Sequence, residues 1–165
     1  MLHLETVPAP TLELLKKLSQ LPCLSQFNLA GGTALALQIG HRISYDLDFF
    51  TSQDFEPDTL FAEINQHLQI QLLAKSKNTL NLTANSIKID LLKYPYPLID
   101  NILTINELRL LSKKDIAPMK ISAICNRGAK RDFYDFYFGE CKYIDRYYLV
   151  ILRRFFDRKN ERNYL

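Results

Sequence analysis

The sequence predicts an α+β domain: a mixed β-sheet flanked by helices, followed by a short helical C-terminal part. Three observations carry this. Mid-chain segments alternate apolar and polar residues with a period of two, as half-buried strands do. Leucines near the N-terminus recur at helical spacing, and everything after Ser112 reads as helix. Between them an apolar run ends at the pair Gly31-Gly32 and reopens as an apolar helical stretch.

In chain order, Leu12, Leu14, Leu15, Leu18 and Leu21 predict a first helix over 11–21, with Pro8 and Pro10 just ahead of it. Residues 26–30 form a short strand that enters the glycine turn, and 33–39 the helix that leaves it. Leu47, Phe49 and Phe50 mark a second strand. Glu56-Pro57-Asp58 opens an amphipathic helix over 57–68. Strands follow at 68–74, 79–84 and 87–92, separated by the turn residues Ser76, Asn78, Asn85 and Ser86. Tyr94-Pro95-Tyr96-Pro97 interrupts regular structure, and a short strand or turn is expected around 105–110. Helices are predicted over 113–126, 130–138 and 143–156. The expected organisation is an α/β core over 1–110 with a helical part, 111–165, packed on it as one compact domain.

At 165 residues the chain is long enough to bury a core without disulfides or metal staples. With 47% hydrophobic and 24% charged residues it has ordinary globular chemistry, and a net charge of +3 permits a nucleic-acid partner without arguing for one. Three cysteines, Cys23, Cys125 and Cys141, are an odd number without metal-ligand spacing, which fits a reducing compartment. There is no apolar run of transmembrane length, and the first residues lack the pattern of a secretory leader. The expectation is a cytoplasmic protein with no membrane partner.

The chemistry concentrates between Gly31 and Asp90. Asp46 and Asp48 flank Leu47 in an extended segment, so both carboxylates leave the backbone on one face. Two close carboxylates repel unless a cation neutralises them, and hard oxygen donors suit Mg²⁺. The glycine pair opens a helix whose bare N–H groups make an anion site. Gly31, Gly32 and Thr33 are the candidate nucleotide contacts, with Thr33 expected at or near the helix N-cap and its hydroxyl near the anion. Arg42 is a further candidate for a phosphate. A phosphate cradle beside metal-binding carboxylates points to phosphoryl or nucleotidyl transfer.

At these residues the chain resembles nucleotidyltransferases of the polymerase-beta type, and more closely the AbiEii/AbiGii toxin branch. Gly31-Gly32-Thr33-Ala34-Leu35 and His41-Arg42-Ile43-Ser44-Tyr45-Asp46-Leu47-Asp48-Phe49 are similar to the family's first elements. Met119-Lys120-Ile121-Ser122-Ala123-Ile124 resembles its Lys-x-x-Ala element, and Arg131-Asp132-Phe133-Tyr134-Asp135 its Asp-x-x-Asp element. The resemblance implies a third metal carboxylate at Asp90 on a later strand, two Mg²⁺ ions and an NTP substrate. It also implies that Lys120 reaches the triphosphate, and that Asp132 either orients Lys120 or assists the acceptor. The acceptor would be RNA, such as a tRNA 3′ end, and the biological partner an antitoxin protein. Family members often carry Arg-x-Lys-Asp where this chain has Ala129-Lys130-Arg131-Asp132, so Arg127, Lys130 and Arg131 remain alternatives for the residue facing the site. Relatives usually continue into a larger helical domain, so with the sequence ending at Leu165 a short version is expected.

Each candidate has a plainer competing reading. Lys88 shares a face with Asp90 and could simply pair with it. Asp132 could serve only the helix that begins near Arg131. Tyr147, Tyr148, Phe155 and Phe156, interleaved with Arg146, Arg153 and Arg154, suit RNA stacking or plain packing. A nucleotide-binding module without turnover is the alternative from a different class. A dehalogenase-type phosphatase wants Thr or Val where Phe50 stands, and a glycosyltransferase with Asp-x-Asp would leave Lys120 and Asp132 without a role.

Overall fold

A computed structural model describes residues 1–140 of the chain. The elements run α1 (Ala9–Gln20), β1 (Asn28–Ala30), α2 (Gly31–Ile39), β2 (Leu47–Thr51), α3 (Pro57–Asn65), β3 (Gln71–Ser76), β4 (Thr79–Ala84), β5 (Ile87–Lys93), β6 (Leu103–Ile105), β7 (Leu108–Leu110), α4 (Lys113–Arg127) and α5 (Lys130–Glu140). This is the α+β architecture that the alternating patterns imply. The expected helix over 143–156, with Arg146, Arg153 and Arg154, lies outside the described residues.

The seven strands form one mixed sheet in the order β3-β4-β5-β2-β1-β7-β6. Its centre is the parallel pair β2 and β5, reached from β2 through α3 and the β3–β4 hairpin. In that pair Leu47 stands beside Ile89, Asp48 beside Asp90 and Phe49 beside Leu91. Leu47, Phe49, Ile89 and Leu91 are buried in the core, and the period of two turns Asp48 and Asp90 to the opposite face. Strand β1 pairs antiparallel with β2, setting Ala30 opposite Asp48.

Several elements differ in extent from the sequence expectation. Strand β3 begins at Gln71, three residues late, and as the sheet edge all six of its residues are exposed, so it lacks the burial pattern that fixes register. The stretch expected as one strand or turn around 105–110 is a hairpin, β6–β7. Asn106 and Glu107 take positive φ at its tip, and β7 pairs in parallel with β1. Helix α3 stops at Asn65.

The two helices that complete the site have legible ends. Helix α4 opens on a cap in which Ser112 Oγ accepts from the Asp115 N–H and donates to the Asp115 carboxylate at 2.6 Å. It closes on Gly128, whose φ of 58° is a left-handed cap that glycine takes without strain. One further residue leads into α5, so α4 and α5 fold back against each other and both pack on α2.

Candidate active site

The glycine pair is explained by what lies against it. Gly31 has a φ of 63°, and a Cβ there would run into the Asp48 carboxylate. A Cβ on Gly32 would run into the Arg42 guanidinium. The missing side chains therefore let a carboxylate and a guanidinium close on the start of α2. The N-cap of α2 is Ala30, whose side chain offers no capping hydrogen bond, and Gly31 is the first helical residue.

Thr33 is placed differently from the N-cap expectation. It is the third residue of α2 and fully buried, and its hydroxyl donates to the Asp46 main-chain oxygen and bonds Ser44 Oγ at 2.8 Å. The hydroxyl thereby pins the loop that delivers Asp46 to the start of β2. These long-range bonds, to residues 11 and 13 positions away, occupy the hydroxyl in place of a capping role.

A cleft of about 190 Å³ opens over this point, lined by Gly32, Arg42, Tyr45, Asp46, Asp48, Asp90, Lys120 and neighbouring cations. Asp48 sits at its sheet side. Burial, reinforced by the charges of Asp90 and Asp46, pushes its carboxyl up to about 6 from an ordinary 3.8, against the pull of Lys120 and Lys88. Asp90 is held on both oxygens: Asn81 Nδ2 donates to one at 2.6 Å and Lys88 Nζ to the other at 2.6 Å. The Lys88 pairing foreseen as the plain reading of Asp90 is thus present, on a lysine whose side chain is half exposed. Asp46, one residue ahead of β2, faces Arg131 Nη1 at 3.4 Å across an exposed pair.

Among the described residues no three His, Cys, Asp or Glu side chains already converge as a metal cluster. The donor chemistry nevertheless fits a hard divalent cation. Asp48 and Asp90 are adjacent carboxylates, and the Asp48 carboxyl is raised first by burial and then by the Asp90 charge, both of which a cation bound between them would offset.

The opposite wall is built by α4 and α5. Lys120, in α4, has a side chain only 8% exposed and contacts Asp135 Oδ2 at 2.6 Å and Asp132 Oδ1 at 3.3 Å. Both aspartates are on α5, three residues apart and therefore on one face. Arg127 holds Asp132 with two parallel bonds of 2.7 and 2.8 Å. Burial works to raise the Asp132 carboxyl, but Arg127 and Lys120 outweigh it and hold it below the usual range. Of the three cations left open by the sequence, Arg127 and Arg131 line the cleft. Asn81, Tyr45 and Asp135 carry no signal in the local pattern strong enough to single them out. For Asp135 the hints are its spacing of three from Asp132 and its place in the stretch that resembles the Asp-x-x-Asp element, and neither gives it a role.

Residues 13–84 match the family described as "Nucleotidyl transferase AbiEii toxin, Type IV TA system". A protein of Aquifex aeolicus (strain VF5), described as "Uncharacterized protein aq_aa25", is 41% identical over 130 residues, 76% of this chain. The chain spans 63% of that relative's length. Among solved structures the fold is similar to the Megavirus polyadenylate synthase, with a TM-score of 0.56 and 12% identity over 78% of this chain and 30% of that one. It is similar to JHP933 from Helicobacter pylori, at 0.55 and 20% over 80% and 66%. It is also similar to ANT(2")-Ia in complex with adenylyl-2"-tobramycin, at 0.58 and 13% over 92% and 99%. At these identities the likeness is one of fold: the chain carries a nucleotidyltransferase-type α+β core.

Proposed function

We propose that this chain, whose residues 13–84 match the AbiEii nucleotidyltransferase family, transfers a nucleoside monophosphate from an NTP to an acceptor hydroxyl. The observation that carries this is the cleft itself. Paired carboxylates, Asp48 beside Asp90 at the start of α2, face a wall of Arg42, Lys120, Arg127 and Arg131. A polyanion fits between them, with its phosphates on the cations and its reacting phosphorus toward the carboxylates.

In the transfer the acceptor oxygen bonds to the α-phosphorus, and the bond from that phosphorus to the bridging oxygen breaks. Pyrophosphate leaves with the electron pair, and the hydroxyl proton is released to solvent. Asp48 and Asp90, with Asp46 once it parts from Arg131, would hold the Mg²⁺ ions, two by family resemblance. Such ions polarise the phosphoryl oxygens and lower the pKa of the attacking group. Gly31 and Gly32 give the triphosphate access to the N–H groups of α2. Lys120 offsets the charge that develops on the departing pyrophosphate, and Arg42 lies beside Gly32 to grip a neighbouring phosphate. Asp132 fixes Arg127 and keeps a longer contact, 3.3 Å, with Lys120.

By the family resemblance the acceptor is RNA, such as a tRNA 3′ end, and an antitoxin protein holds the activity in check. Purified protein, Mg²⁺, each labelled NTP and total RNA test this in one assay. Labelled RNA with stoichiometric pyrophosphate is expected, and neither product from any NTP refutes it.

A second reading, a nucleotide-binding module without turnover, is favoured by two pairs that already occupy the carboxylates: Lys88 on Asp90 and Arg131 on Asp46. NTP binding without pyrophosphate release would decide for it.

A further inference from the structure

Asp135 is the carboxylate on which His41, Arg42 and Lys120 converge. It is fully buried. Its Oδ1 accepts from His41 Nε2 at 2.7 Å and from Arg42 Nε at 2.5 Å. Its Oδ2 accepts from Arg42 Nη2 at 2.8 Å and lies 2.6 Å from Lys120 Nζ. Lys120 is therefore nearer to Asp135 than to Asp132, whose carboxylate is already taken by Arg127. Arg42 and Lys120 both line the cleft. Two cations brought together to face one cleft repel each other, and a single carboxylate between them removes that penalty while fixing both directions.

His41 completes the arrangement from behind. Its side chain is 2% exposed, its ring stacks on Tyr134 at 5.9 Å and lies 6.1 Å from Phe138, and it does not line the cleft. It cannot touch a ligand in the cleft and acts only through Asp135. Although burial works to raise the Asp135 carboxyl, Arg42, His41 and Lys120 hold it well below the usual range, so it stays ionised and Nε2 of His41 is the donor.

We propose that Asp135 is the positioning residue of the site, setting Arg42 and Lys120 side by side as two phosphate donors, and that His41 holds Asp135 in that orientation. The ligand class, a polyphosphate, rests on the transferase reading. The device itself is tested without turnover, through binding of inorganic tripolyphosphate.

Two substitutions at His41 separate the proton from the ring. His41→Gln keeps a donor near the Nε2 position and loses the stack. His41→Phe keeps the stack and loses the donor. If His41 positions Asp135, tripolyphosphate measured by calorimetry binds about tenfold more weakly to His41→Phe, the scale of one lost charge-assisted hydrogen bond, and His41→Gln restores most of it. Asp135→Asn loses at least as much, and adding His41→Phe to it costs nothing further. Wild-type-like binding by His41→Phe, or affinities that simply follow the melting temperatures of the variants, overturns the proposal. So does wild-type protein that binds no tripolyphosphate. Wild-type protein that binds it, obeys the His41 order and releases no pyrophosphate from any NTP refutes the transferase reading and leaves the positioning role standing.

Discussion

Replacing Asp48 by Asn should make the metal-free protein more stable at neutral pH. The Asp48 carboxyl titrates near 6 instead of its ordinary 3.8 because burial and the Asp90 charge disfavour ionisation. In the folded state the group therefore keeps its proton through a window in which the unfolded chain has already lost it. Stability falls as pH rises through that window, and the full cost is present above about 6. At ~1.36 kcal/mol per pH unit, a gap of roughly two units amounts to about 3 kcal/mol at pH 7–8, an upper bound that falls toward about 2 with the solvent reach of the cleft. Asn fills the same space without the charge, so the advantage of Asp48→Asn should be about 2–3 kcal/mol at pH 8 and vanish near pH 4. At ~2–4 °C per kcal/mol for a domain of this size, the variant should melt about 5–10 °C higher at pH 8. Thermal melts in EDTA at pH 4, 5, 6, 7 and 8 read this directly. Added Mg²⁺ should then stabilise the wild type and close the gap, because only the wild type keeps both strand carboxylates as ligands. A variant that melts at or below the wild type at pH 8 in EDTA would show that the Asp48 charge is already compensated, and the metal assignment would lose its physical ground.

Lys120→Ala should slow transfer by roughly 10²–10³-fold, the scale of a lost electrostatic stabiliser, with Lys120→Arg recovering only part of it; unchanged kinetics would make Lys120 a structural partner of Asp135. Gly31→Ala should cost about 1–2 kcal/mol for the left-handed backbone alone and more for the collision with Asp48, so Asp48→Ala should recover the second part and leave the first. Additive melting shifts in that double variant would contradict the close approach. Arg131→Gln should leave the melting temperature in place, since an exposed pair contributes little, and weaken NTP binding; equal NTP affinity would put Arg131 outside the path of the phosphates.

What the sequence made legible follows the range of the interactions involved. The Asp46/Asp48 pair, the central strands and the opening of α2 depend on side-chain period and glycine freedom, which neighbouring residues display, and β4, β5 and α2 lie within a residue or two of where the pattern puts them. The edge strand β3 is exposed along its length and has no buried face to mark its register, so its start shifts by three residues. Local pattern makes Thr33 a cap, but its hydroxyl answers to Ser44 and Asp46, residues brought to it by the return of the chain into β2. Asp135 lies furthest from local inference, with partners His41 and Arg42 94 and 93 residues away. Spacing can place Asp132 and Asp135 on one helical face, but it cannot rank them. The ranking comes from the fold, where the tight turn at Gly128 lays α5 against α4 and α2. Asp132 then falls chiefly to Arg127, and Asp135 to Arg42 and Lys120, so the more buried network belongs to the residue that the motif made look secondary.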